Sequence, residues 1–126
     1  MSESFTIEPV DTTFDVATIN RYVDTLPCGA RDATTPEVVM LLDSNHMLEY
    51  ATESRADDPT RFPPAVTLLQ VEPHRVLVTP GSEGIATARQ FVQWLAQRYR
   101  LRFLDGEMRD VTAQAQQGLD FLFIEQ

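Results

Sequence analysis

The chain has 126 residues, of which 43% are hydrophobic and 23% charged, and its formal net charge is −9. That size and balance fit one self-sufficient hydrophobic core and exclude a wholly disordered or fibrous chain. Cys28 is the only cysteine, which excludes an intrachain disulfide and a cysteine-built metal cage.

Phe5, Ile7 and Pro9 alternate with Thr6 and Glu8, the period of a half-buried strand over residues 4–8 that ends at the proline. Thr12 and Asp15 then resemble a capping box. Val16, Ile19, Val23 and Leu26 recur at helical spacing up to the closing Pro27 and Gly29. Residues 30–36 are polar and turn-forming, and the apolar run Val38-Val39-Met40-Leu41-Leu42 predicts a central strand. Met47 to Ala51 is expected to be its hairpin partner across Ser44-Asn45-His46. Residues 52–64, with five charges and three prolines, predict a long loop.

Val66, Leu68, Leu69 and Val71 answer Val76-Leu77-Val78 across Glu72-Pro73-His74-Arg75, an antiparallel hairpin. A second helix opens at Ser82 as N-cap and carries Ile85, Ala88, Phe91 or Val92, Leu95 and Tyr99 on one face. Leu101 and Phe103 predict a strand, Asp105-Gly106 a tight turn, and Met108 with Val111 a returning strand. The apolar tail 119–124 is expected to dock on the sheet or on a second copy of the chain.

This order gives one α+β domain over residues 1–126, with a mainly antiparallel sheet and two helices on one face. The nearest template is ferredoxin-like (split βαβ), or a variant with extra strands. No stretch approaches the roughly 18 apolar residues that cross a bilayer. The opening residues also lack the basic-then-apolar pattern of a secretory signal. A soluble, cytoplasmic protein without membrane contact is expected.

The charge is lopsided. Residues 1–60 hold twelve acids against three arginines, whereas residues 61–126 are balanced. Such a field repels nucleic acid and draws in basic partners. All ten basic residues are arginine, which suits the codon bias of a GC-rich bacterial genome as well as it suits bidentate anion contacts.

No catalytic constellation stands out. Cys28 is a nucleophile only if His46 or His74 folds beside it, and the two histidines lack the spacing of a metal motif, so neither a metal nor a cofactor is expected. Asp105, Glu107 and Asp110 surround a turn without calcium-loop spacing. Gly81-Ser82-Glu83-Gly84 lacks the lysine of a phosphate loop. Arg98, Arg100 and Arg102 form a short basic stripe, read either as a docking patch for an acidic surface or as helix-end charge compensation. Trp94, Phe91 and Tyr99 are core candidates first.

The leading expectation is therefore a small acidic binding or accessory protein of bacterial type, possessing no catalytic residues and recognising a basic protein partner, as a toxin-immunity inhibitor does. Asp15, Asp24, Asp57, Asp58 and Arg61 are the candidate partner-binding residues. The alternative is a small enzyme or ligand-binding domain with its pocket between the sheet and the 52–64 loop, using Cys28, His46 or His74. A homo-oligomer sealed through residues 119–124 is a third expectation.

Overall fold

A computed structural model of the chain describes residues 4–32, 35, 37–58, 62–63, 65–118 and 120–123. The elements are β1 (Phe5–Pro9), α1 (Val16–Asp24), β2 (Gly29–Arg31), β3 (Val38–Leu41), α2 (Asn45–Asp57), β4 (Thr67–Val71), β5 (Val76–Thr79), α3 (Ile85–Arg98) and β6 (Leu101–Leu104). Two short helices, α4 (Thr112–Gln117) and α5 (Asp120–Phe123), follow. The six strands form one sheet in the order β2-β3-β4-β5-β1-β6, and every neighbouring pair is antiparallel. The α+β class expected from the sequence holds.

The sheet is covered on both sides, unequally. On one side Phe5, Ile7, Val39, Leu41, Leu69, Val76 and Val78 pack with Ile19 and Val23 of α1 and with Ala88, Phe91, Val92 and Leu95 of α3. On the other, Met40 and Leu42 meet Ala51 of α2 and Val66, with Met47, Leu48, Phe62 and Leu68 around them. This explains why residues 38–42 read as an unbroken apolar run: alternate side chains point to opposite faces, and here both faces are buried. The expectation of two helices on one face thus describes α1 and α3 but omits α2.

The stretch read as a strand at 47–51 followed by a loop at 52–64 is helical from Asn45 to Asp57. Met47, Leu48, Ala51 and Arg55 share the inward side of this helix, and the last of them is a buried arginine rather than an apolar residue. That charge breaks the hydrophobic period on which recognition of an amphipathic helix depends. Gly29, expected to close the first helix, and residues 30–31, expected in a turn, form β2 because Cys28 and Asp32 extend the pairing at both ends: the Leu42 amide donates to the Cys28 carbonyl at 2.9 Å and the Asp32 amide to the Val38 carbonyl at 2.8 Å.

Both main helices begin later than the capping signals predict. Asp15, not Thr12, caps α1, its carboxylate accepting from the Thr18 amide at 3.4 Å. Gly84, not Ser82, precedes α3, with φ of +91°. A side chain there would collide with the Leu41 carbonyl, so the glycine is required by close approach as well as by its backbone conformation. The connection into α3 is tethered by Thr67, whose hydroxyl accepts from the Gly81 amide at 2.9 Å and donates to the Glu83 carbonyl at 2.5 Å.

After β6, the expected returning strand is reduced to a single bridge between Leu104 and Asp110. α4 starts two residues beyond it. At the tail, Leu122 and Phe123 are buried within the chain's own core, and Phe123 meets the Phe5 ring edge-on at 5.3 Å. Leu119 and Ile124 of the predicted tail lie outside the described residues.

Candidate functional site

The exposed side of α2 carries a regular row of acids. Glu49, Glu53 and Asp57 follow one another at intervals of four residues, and all three are exposed. That spacing stacks them along one side of a helix. Among the described residues, no ion pair engages any of the three. Tyr50 stands beside this stripe at 59% exposure, one of two large hydrophobic residues left open to solvent among those described.

Asp57 and Asp58 sharpen the field. They sit at the C-terminal end of α2, where the helix already carries a partial negative charge, so they add to that charge instead of offsetting it. The basic residue in this last turn is Arg55, and it is already committed. Its Nη2 donates to Asp32 Oδ2 at 2.8 Å and its Nε to Asp32 Oδ1 at 3.3 Å, with the side chains only 7% and 6% exposed. Arg55 Nη1 also donates to the Asp58 carbonyl at 3.5 Å, and the guanidinium lies over the Phe62 ring at 4.0 Å. This two-pronged pair fastens the polar helix to the segment after β2, where a purely apolar contact would have had little to hold.

The other candidate residues are dispersed. Asp15 and Asp24 occupy opposite ends of α1, a separation of roughly 14 Å at helical rise. Asp15 is occupied as the cap, and its bonds to the Thr18 hydroxyl and amide hold its carboxyl below the usual carboxylate range. Asp24 is paired with Arg31 at 2.7 Å. Asp57 and Asp58 belong to the α2 end described above, and Arg61 lies outside the described residues.

Cys28 is half-buried, its Sγ 3.4 Å from Asn45 Oδ1. His46 is exposed in the first turn of α2, at the same end of the sheet. His74 is exposed in the β4–β5 turn, at the opposite end, since Leu41 pairs with Thr67 whereas Val71 pairs with Val76. The structure therefore brings the thiol and both imidazoles to no common place. Among the described residues, no three His, Cys, Asp or Glu side chains gather as metal ligands would.

Asp105 and Asp110 serve local structure. Asp105 accepts from the Arg109 and Glu107 amides and from Arg109 Nε, each at 2.9 Å, and these bonds, led by the Arg109 amide, lower its pKa. Asp110 accepts from the Thr112 amide at 2.9 Å, and its pKa is lowered first by the Thr112 side chain and then by that amide. Phe91 is buried in the core, and Trp94 packs against it while stacking on Tyr22 at 4.1 Å between ring centres.

Sequence reasoning missed Glu49, Glu53 and Tyr50 because it read their segment as a hairpin strand and a loop. The spacing of four residues between Glu49, Glu53 and Asp57 was the available signal. No family model, no curated protein and no solved structure matches the chain.

Proposed function

We propose that this is a small acidic binding protein that recognises a basic protein partner through the exposed side of α2, with Tyr50 as an aromatic anchor among Glu49, Glu53, Asp57 and Asp58. The observation that carries this reading is the row of Glu49, Glu53 and Asp57, which no ion pair engages among the described residues, beside an aromatic side chain at 59% exposure. Aromatic anchors and complementary charge are the chemistry of protein recognition: the ring supplies buried area, and the field speeds encounter and rejects partners of like charge. An inhibitor of a basic toxin is one member of this class.

The strand order supports a finer reading of the architecture. β4-β5-β1-β6, with α1 after β1 and α3 between β5 and β6, reads as a ferredoxin-like split βαβ core. The segment β2-β3-α2 is then an insertion in that core, and it is this insertion that carries the acidic ridge.

The test is capture of partners from source cells at low and high salt, by the natural protein, by the combined Glu49→Gln, Glu53→Gln and Asp57→Asn variant, and by Tyr50→Ala. A basic protein held at low salt, released at high salt and lost by both variants supports the proposal. If the triple variant retains the same partner with the same salt sensitivity, the acidic side of α2 is not the recognition surface.

A further inference from the structure

We draw no further inference here: the strongest candidate, the surface hollow that Thr6 of β1, Leu77 of β5 and the exposed Met108 line beside the turn after β6, carries nothing because nothing in the structure shows what covers it.

Discussion

Removing either partner of the Arg55–Asp32 pair should destabilise the fold far more than removing both. The two side chains are 7% and 6% exposed and share two hydrogen bonds, and Asp32 also accepts from the Thr35 amide at 3.0 Å. Stranding one member of such a pair typically costs about 3–5 kcal/mol. For total stabilities of about 5–15 kcal/mol, that is a large fraction. In Arg55→Met the buried Asp32 carboxylate loses its cation and keeps only the Thr35 amide among the bonds named above. In Asp32→Leu the guanidinium cannot shed its proton, and it loses both of its hydrogen bonds to Asp32. Both single variants should therefore fall well below the natural protein. The double variant replaces charge with apolar volume and should return to within about 1 kcal/mol of the natural protein. Urea denaturation of all four proteins measures this. Additive losses, with the double variant as weak as the sum of the singles, would refute the reasoning.

Three further outcomes are expected. Thr67→Val removes the hydroxyl that joins the Gly81 amide to the Glu83 carbonyl and should lose about 1–3 kcal/mol by denaturant midpoint; Thr67→Ser should lose much less, and equal losses would show that the hydroxyl is idle. The lowered pKa of Asp105 means that its carboxylate stabilises the folded chain above the unfolded value, near 3.8, and that this contribution fades as pH falls through the lower folded value. Asp105→Asn should accordingly be weaker than the natural protein at neutral pH and converge with it in acid; a gap that persists unchanged would contradict the assignment. Phe123→Ala, which empties a buried site against Phe5, should cost about 3–5 kcal/mol by an amount independent of protein concentration, whereas a concentration-dependent loss would mean that the tail seals an interface between copies.

What could be read from the sequence was what periodicity and turn chemistry express directly. β1, α1, the β4–β5 hairpin, α3 and β6 each carry a regular apolar pattern, and all were placed close to their observed limits. α2 escaped because its inward side ends in Arg55, a charged residue accommodated in the fold by partners such as Asp32 and Phe62, which lie 23 positions before and seven positions after it. β2 escaped because three residues of modest strand propensity are held by pairing with β3, a tertiary effect that overrides local preference. The candidate surface suffered accordingly. Asp57 and Asp58 were chosen for their charge alone, while Glu49, Glu53 and Tyr50 form a surface only once the helix exists. The arginines at 100 and 102 were visible as a stripe, but α4 packs against β6 where the sequence suggested a strand.

The unequal covering of the sheet has a dynamic consequence. Among the described residues, twenty buried hydrophobic side chains make up the cluster under α1 and α3, and only four make up the cluster under α2. Free energy of opening follows the apolar area that a segment would expose. The amides of α2 should therefore exchange with solvent deuterium through a partial unfolding that leaves α3 protected. Any partner gripping that helix would slow this exchange selectively, so occupancy would be visible as a change in mobility even where no atom shifts position.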